Sequence, residues 1–425
     1  MENSLIENKF ENWLLVLVIL ISFLFIFLPE IDIPIFKVNL SNLIIPIFPL
    51  IYFAAKRELF FEKIKRFKKE IIFATLFFIY LILLSLISPY PKISILYTIK
   101  LAEFFPVLLL GLILYEKRFL VYILILWISI FLGIINIILF FYPNLYKTIF
   151  YERPYTYPRM QSLVGHPNPY AFSILIFFIV LFLLYKNQII SSITFSLTYS
   201  FNLLNLILTG SKNNFLVFIL LSLYFIFMFL KDRKKILAIY LILILLISTF
   251  LFYILWIKSY YQFWFNFFKI LEKEEERAKI KTSEVIYKYS IERYEGGSIG
   301  VRKEIYKIAI DTLKKYPLGI GPYVFREFIK NNKTITTLFG ENLTGFASHN
   351  IILQMWLDFG IVGILLIFGI IYLFLNLKSY LRLFWLIMLI GNLLDYFLTN
   401  IFILYLTVLF LGFSICELKY EKNTI

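Results

Sequence analysis

The chain has 425 residues, of which 61% are hydrophobic and only 16% are charged, and its mean hydropathy is +0.83. Soluble domains are nearer half apolar and a quarter charged, so this composition excludes an ordinary soluble protein of two or three domains. The net charge of +15 fits the basic cytoplasmic loops of a membrane protein, and a single cysteine with two histidines excludes a disulfide scaffold or a zinc site. We therefore expect no nucleic-acid partner, no metal and no cofactor.

Long apolar runs predict an all-α fold, a polytopic transmembrane bundle of about 12 helices, since about 20 residues cross a bilayer in each helix. Barrel strands are excluded because they need only about 9–11 residues each. The polar residues at 392, 395, 399 and 400 predict a turn that divides the last apolar stretch into two spans. The predicted spans are 13–28, 43–55, 71–87, 101–115, 119–141, 170–185, 189–209, 214–230, 236–257, 361–377, 381–394 and 397–416.

The charges of the connecting segments predict the orientation of the bundle. With the N-terminus inside, the cytoplasmic segments hold 19 basic residues, the short outer loops hold 7, and the remaining 16 lie in residues 258–350. A loop of that length is translocated regardless of its charge. The split of 19 to 7 predicts that both termini are cytoplasmic, and the acidic N-terminus, unlike a cleaved signal peptide, predicts that the first span is retained.

The polar segment 258–350 divides the chain into spans 1–9 (residues 1–257), a large periplasmic loop (258–350), and spans 10–12 with a short cytoplasmic tail (351–425). Apolar residues recur at helical spacing from Val301 to Thr312 and predict an amphipathic helix over 301–315, which Pro317 ends. This helix either lies on the membrane surface or contributes to a site. A Gly/Pro turn follows at 316–322.

Both histidines fall at predicted outer boundaries of the membrane. His349 precedes the short apolar segment 351–360, and His166 precedes the sixth span in the sequence Gly-His-Pro-Asn-Pro. Each is either a structural residue or a reactive one. A metal shared by the two is disfavoured, because no carboxylate or thiolate stands at ligand spacing.

These motifs resemble those of the O-antigen ligase family, integral-membrane glycosyltransferases that include O-antigen polymerases and bacterial O-linking oligosaccharyltransferases. Residues 348–353 (Ser-His-Asn-Ile-Ile-Leu) with 359–363 resemble the family's His-Asn-x-x-Leu motif and the glycine-bearing span after it. Residues 302–306 and 316–321 are similar to its Arg-led outer helix and Pro-Leu-Gly-x-Gly turn. Weaker likenesses are 159–168 and 209–212, where the family usually has arginine in place of Lys212.

The resemblance implies that an acceptor hydroxyl attacks a glycan carried on undecaprenyl diphosphate, which then leaves. A neutral imidazole can take the hydroxyl proton, and the motif assigns this role to His349. Cationic side chains can bind the leaving diphosphate, for which we expect Arg302, Arg159 and Lys212. An ammonium cannot form the planar two-pronged contact of arginine with phosphate, and Lys212 is alternatively a helix-end residue with its ammonium in the headgroup region.

Three further residues are expected to bind glycan or to support the site: His166, Asn168 and Asn350. Either asparagine could instead cap a helix, and for Asn168, before Pro169, capping is the preferred interpretation. The resemblance predicts an O-antigen ligase of the bacterial inner membrane that acts on a lipid A–core acceptor. The alternatives are a polymerase using the same donor, a secondary transporter, and a non-catalytic scaffold of an envelope complex.

Overall fold

The computed structural model describes residues 31–33, 36–38, 57–142, 145, 159–160, 162–164, 166–258, 297–331, 348–398 and 400–422. Within them the fold is helical apart from one antiparallel hairpin, in which β1 (Ile31–Ile33) pairs with β2 (Phe36–Val38). The all-α prediction missed this hairpin, because strands of three residues offer too few alternations to register as a period-two pattern.

The helices carry the rest of the described fold. In chain order they are α1 (Arg57–Arg66), α2 (Lys68–Leu86), α3 (Pro91–Ala102), α4 (Phe105–Leu114), α5 (Arg118–Phe141), α6 (Pro167–Lys186), α7 (Ser192–Thr209), α8 (Lys212–Lys231), α9 (Lys235–Tyr253), α10 (Gly297–Lys315), α11 (Phe325–Lys330), α12 (Ile351–Asn376), α13 (Arg382–Leu394) and α14 (Ile401–Lys422). Short 3-10 turns at Tyr115–Lys117 and Ser162–Val164 and a π turn at Ile254–Lys258 complete them.

Seven segments in this part of the chain are long and apolar enough to cross a membrane, one of them running from Pro91 to Phe141. They account for the predicted spans at 71–87, 101–115, 119–141, 170–185, 214–230, 236–257, 361–377 and 397–416. The span predicted at 189–209 is the helix α7, and the one at 381–394 is the shorter apolar helix α13. The spans at 13–28 and 43–55 lie outside the described residues, so the total of twelve stays a prediction.

Helix α6 is the centre of the bundle. Its sequence is apolar on every side, which is the pattern of a helix with no face toward water. Of its most hydrophobic 18 residues, 83% are buried. It packs against α5, α7, α8 and α13, with Phe172 stacked on Phe397 and Phe182 on Phe225. Helix α2 is the opposite case, since only 17% of the residues in its most hydrophobic stretch are buried and its apolar side chains face outward.

Helix α12 is broken near its start, at Gly360, whose backbone is not helical (φ 60°, ψ −145°). The break exposes carbonyls that other segments satisfy: Ile320 N donates to Leu357 O at 2.7 Å, and the Tyr80 hydroxyl donates to Phe359 O at 3.0 Å. The Gly/Pro turn at 316–322 therefore docks onto the broken helix, which fixes the outer segment 297–331 against the bundle. The predicted boundary between a short apolar segment and the following span coincides with this break, although the apolar helix as a whole runs from Ile351 to Asn376.

The two ends of the bundle differ in character. At one end the connectors carry ion pairs between neighbouring helices, among them Lys186 with Asp232 and Lys419 with Glu70. The other end, where α6 and α12 begin and α13 ends, carries both histidines and Asp395. The chemistry-bearing residues predicted from the sequence thus collect at one end of the fold.

Candidate active site

Asp395 lies at the centre of a polar cluster between α13 and α14, with only 8% of its side chain exposed. Its Oδ1 lies 2.6 Å from Nδ1 of His349, and its Oδ2 accepts from Nδ2 of Asn168 at 3.1 Å. The guanidinium of Arg302 is 3.8 Å from the same Oδ2, and the backbone N–H of Tyr396 donates to Oδ1 at 3.0 Å. One carboxylate therefore joins three residues that were predicted separately as site residues.

The charge state of Asp395 follows from these contacts. Burial acts to raise its pKa, but the hydrogen bond and positive charge of His349, the charge of Arg302 and the hydrogen bond from Asn168 outweigh burial. The pKa of Asp395 is therefore lower than the ordinary value for an aspartate. The carboxylate stays ionised and acts as an acceptor for its neighbours.

His349 is held in an uncommon backbone conformation immediately before α12. Its φ is 53°, in the left-handed region that non-glycine residues rarely adopt. On one side the hydroxyl of Tyr306 donates to its carbonyl oxygen at 3.4 Å. On the other side Asn350 is the N-cap of α12, because its Oδ1 accepts from Ile352 N and Leu353 N at 2.9 and 3.2 Å. Capping, one of the two predicted roles of Asn350, is confirmed.

Helix α10 brings Arg302 to the cluster. The predicted helix over 301–315 is confirmed and begins one turn earlier, at Gly297. Its apolar face, with Ile305 and Ala309 fully buried, packs against α12 and the segment 320–329. Because protein covers this face, the helix docks on the bundle, and lying on the membrane surface does not account for it. That docking sets Arg302 at the edge of the site, where 29% of its side chain remains exposed.

Arg159 reaches the cluster through Asn168. Its Nη2 donates to Oδ1 of Asn168 at 2.7 Å, and its Nε donates to the carbonyl oxygen of Thr209 at the end of α7. The backbone around it is fixed from within the bundle, since Ser162 N donates to Oδ1 of the buried Asn136. Arg159 is therefore anchored at two points of its guanidinium beside the cluster.

The capping role predicted for Asn168 is wrong. The N-cap of α6 is His166, whose Nδ1 accepts from the backbone N–H of Asn168 at 3.3 Å. The amide side chain of Asn168 is used instead for tertiary contacts, accepting from Arg159 and donating to Asp395. These contacts replace a cap because both partners come from distant segments, which the local Asn-Pro pattern cannot reveal.

His166 lies beside the cluster without a direct bond to Asp395. His166 keeps an exposed surface, while the protein around its ring partly desolvates it. This desolvation lowers its pKa to about 4, with the nearby positive charges of Arg159 and His349 adding to the effect and Asp395 opposing it. His166 is therefore neutral at physiological pH.

Lys212 stands at the first turn of α8 with its side chain exposed. Within the described part of the chain, no hydrogen bond or ion pair joins it to the Asp395 cluster. Its helix does contact the cluster, because Nδ2 of Asn214 donates to the carbonyl oxygen of Asn168 at 3.0 Å. Diphosphate binding by Lys212 stays a prediction.

Residues 197–368 match the model of a protein family described as O-antigen ligase, which is less than half of the chain. The match runs from α7 into α12 and includes Lys212, Arg302 and His349, whereas Arg159 and Asp395 lie outside it. This segment belongs to the O-antigen ligase family. A comparison with curated proteins gave no match.

The family resemblance predicted from the sequence is thus confirmed. Together with the apolar helices, the match of residues 197–368 to the O-antigen ligase family supports an integral membrane protein of the O-antigen ligase or polymerase type. Such proteins are membrane glycosyltransferases, and the family implies glycan and lipid-linked substrates.

Sequence reasoning missed Asp395 as a site residue and assigned it to a turn. The turn is correct, since α13 ends at Leu394 and α14 begins at Ile401. The available signal was an acidic residue between two apolar helices, because ionisable residues at such places are usually functional. Tyr306, which contacts the backbone of His349, carried no comparable signal.

The cluster combines the two properties that glycosyl transfer from a diphosphate requires. An imidazole oriented by a buried carboxylate is the arrangement of a general base, as in the Ser-His-Asp triad. Two arginines beside it supply positive charge, which can bind an anion such as a diphosphate.

Proposed function

We propose that this chain is a metal-independent O-antigen ligase, which transfers a glycan from undecaprenyl diphosphate to a lipid A–core acceptor. The observation that carries the proposal is the pairing of His349 Nδ1 with Asp395 Oδ1 at 2.6 Å, with Arg302 and Arg159 in the same cluster. The match of residues 197–368 to the O-antigen ligase family supports the reaction class. We further propose that the site faces the periplasm from the cytoplasmic membrane, with both termini cytoplasmic, as the distribution of basic residues predicts.

In the proposed reaction His349 is the general base. An ionised Asp395 accepts the Nδ1–H of the imidazole and so fixes the tautomer in which Nε2 carries the lone pair. Nε2 takes the proton of the acceptor hydroxyl as its oxygen attacks the anomeric carbon of the glycan. The bond between that carbon and the diphosphate oxygen breaks, and the undecaprenyl diphosphate leaves with the bonding electrons.

Arg302 binds the leaving diphosphate in this proposal. Its contact with Asp395, at 3.8 Å, is an ion pair that is too long for a hydrogen bond. A guanidinium carries five N–H donors in a planar fork, so pairing with a carboxylate and binding phosphate oxygens are compatible. Charge that develops on the diphosphate in the transition state strengthens this contact, which lowers the barrier.

Arg159 has a related role, but it is held more rigidly. Two of its nitrogens donate to Thr209 O and to Asn168 Oδ1, so its position is fixed before substrate arrives. A pre-positioned charge does not have to reorganise during the reaction. Lys212, two residues before Asn214, is proposed to contact the diphosphate as a point charge at the edge of the site.

The test is transfer by the purified protein from a lipid-linked polysaccharide donor to isolated lipid A–core, with a chelator present. The proposal expects core-attached polymer from the wild type and none from His349→Gln, with equal amounts of folded protein in detergent. Elongation of the lipid-linked donor without transfer to core would instead identify a polymerase. Full transfer by His349→Gln would overturn the role of the histidine, and loss of transfer in chelator would overturn metal independence.

A further inference from the structure

Two buried side chains of α12, outside the cluster around Asp395, connect the backbone of His349 to the outer segment. Gln354 and Asp358 lie one turn apart in the helix, with 3% and 6% of their surfaces exposed. A buried amide and a buried carboxylate inside an apolar helix need partners to offset desolvation. Their partners determine what the pair does.

Gln354 binds the chain on both sides of His349. Its side-chain Oε1 accepts from the backbone N–H of Ser348 at 2.7 Å, while its own backbone N–H donates to Asn350 O at 2.9 Å. The Ser348 hydroxyl closes the turn by donating to Asn350 O at 3.0 Å. The residues that flank the left-handed His349 are therefore both held by Gln354.

The amide of Gln354 has only one orientation that satisfies its neighbours. Ser348 N–H can only donate, so the amide oxygen must face it, and the amide nitrogen then faces Asp358. Nε2 lies 3.0 Å from each carboxylate oxygen of Asp358. Asp358 therefore fixes the direction of the amide that holds the histidine turn.

Asp358 also reaches the outer segment. Its Oδ1 accepts from the backbone N–H of Tyr323 at 3.1 Å, and Tyr323 is itself in the left-handed region, with φ 64°. The ring of Tyr323 stacks on Tyr97 of α3, with ring centres 3.8 Å apart. The buried pair thus binds Tyr323 directly and holds His349 through its two neighbours. Both are non-glycine residues in an unfavourable conformation, and strain of this kind persists only where the surroundings enforce it.

We infer that Gln354 and Asp358 are positioning residues, which hold the backbone of His349 so that its imidazole meets Asp395 in the geometry for transfer. The inference rests on the proposed function for its catalytic consequence. Gln354 acts on His349 through the backbone of the turn at 348–350, and Asp358 acts through Gln354. They are expected to affect the turnover number and leave donor binding nearly unchanged.

The directional hydrogen bonds allow a rescue experiment. Asp358→Asn keeps the shape but sets an amide N–H group against the N–H group of Gln354, and Gln354→Glu sets two carboxylates against each other. The double variant Gln354→Glu with Asp358→Asn restores the three hydrogen bonds, with the direction of the middle one reversed. The glutamate accepts from Ser348 N and from the new asparagine, whose oxygen accepts from Tyr323 N. Each single change sets two like groups about 3.0 Å apart in the relay of hydrogen bonds from Ser348 through residues 354 and 358 to Tyr323, and the two changes together set a donor against an acceptor again.

Steady-state transfer is measured for the wild type, both single variants, the double variant and the control Asn376→Leu. The control removes an amide from the same helix that, in the described part of the chain, bonds to Tyr372 O within its own turn. We expect kcat to fall at least about tenfold in Asp358→Asn, with KM for the lipid-linked donor within about threefold of wild type. The double variant should recover to within about threefold of wild-type kcat, and the control should match the wild type.

A second readout does not depend on catalysis. The protein is labelled with isotopic histidine, and the imidazole nitrogen resonance of His349 is assigned as the one that disappears in His349→Gln. The single variants should shift or broaden this resonance, and the double variant should restore it. If the wild type lacks transfer activity, the proposed function fails, but these spectra still test the positioning of His349.

The inference is overturned by wild-type kcat in folded Asp358→Asn, by an unchanged His349 resonance in both single variants, or by a folded double variant that remains as slow as the single ones. Asp358→Asn keeps the shape of the side chain and adds no volume, so it is the variant expected to fold. If Gln354→Glu fails to fold, recovery of folding and turnover in the double variant supports the relay.

Discussion

Replacing Asp395 by asparagine is the most direct perturbation of the cluster, because it keeps the size of the side chain and removes its charge. The asparagine cannot satisfy all the neighbours at once. If its oxygen faces His349, its NH2 group faces the amide NH2 of Asn168 and the guanidinium of Arg302, which are also donors. If it turns the other way, it donates to Nδ1 of His349 and favours the wrong tautomer.

The magnitude follows from the burial and the distances. A hydrogen bond to a charged group contributes about 1.5–3 kcal/mol, and unit charges about 4 Å apart attract by about 4 kcal/mol at an effective dielectric constant near 20. Both figures describe the loss of the negative charge of Asp395 and are not added. Loss of about 2–4 kcal/mol from the transition state lowers kcat by about 30-fold to 1000-fold, at 1.36 kcal/mol for each factor of ten.

The assay is transfer from lipid-linked donor to lipid A–core, with kcat and KM measured at equal amounts of folded protein. Asp311→Asn is the matched control, since Asp311 is an exposed carboxylate on α10 that pairs only with Lys314 at 3.3 Å in the described structure. The control should retain wild-type kcat. A kcat of Asp395→Asn within threefold of wild type, or an equal loss in Asp311→Asn, would refute the role of the carboxylate.

Three further predictions concern residues around the site. Arg159→Lys keeps the charge but loses at least one of the two hydrogen bonds of the guanidinium, so KM for the lipid-linked donor should rise about tenfold or more in the same assay. Gly360→Ala should lower stability by at least about 2 kcal/mol, measured as the thermal midpoint in detergent, because φ is positive and the added Cβ would lie 2.0 Å from a carbonyl oxygen. Gly369→Ala, in the same helix with open space around it, should leave that midpoint unchanged or raise it. The pKa of His166 is about 4 and that of an unfolded histidine is about 6.5, so the unfolded state binds more protons between these values and stability falls as pH drops from 6.5 towards 4. His166→Asn retains a helix cap and should flatten this acid limb of the thermal midpoint, whereas an unchanged limb would contradict the assignment.

Features set by neighbouring residues were predictable from the sequence. Asn350 caps α12 through amide contacts two and three residues ahead, and α10 follows from apolar residues at helical spacing. The turn around Asp395 was predicted because polar residues interrupt an apolar stretch. In each case the information lies within one or two turns of chain.

Features set by distant contacts were not predictable in the same way. Asn168 lies in a local pattern typical of a helix cap. Its side chain instead forms hydrogen bonds with Arg159 and Asp395, and His166 is the N-cap. The break at Gly360 depends on the turn at 316–322, which supplies a backbone donor to α12. The spacing of apolar residues depends on local sequence and does not indicate which distant residues will be in contact, so these contacts are seen only in the folded structure.

The wide separation of the site residues along the chain has a consequence for biosynthesis. Asn168 and Asp395 are 227 positions apart, and Arg302 and His349 leave the ribosome before Asp395 does. Until α13 and α14 have inserted, the imidazole lacks the carboxylate that would fix its tautomer. Under the proposed function, transfer by a nascent chain already in the membrane is slowed by the factor expected for Asp395→Asn until that carboxylate is in place. Full activity therefore requires α13 and α14 to have joined the bundle.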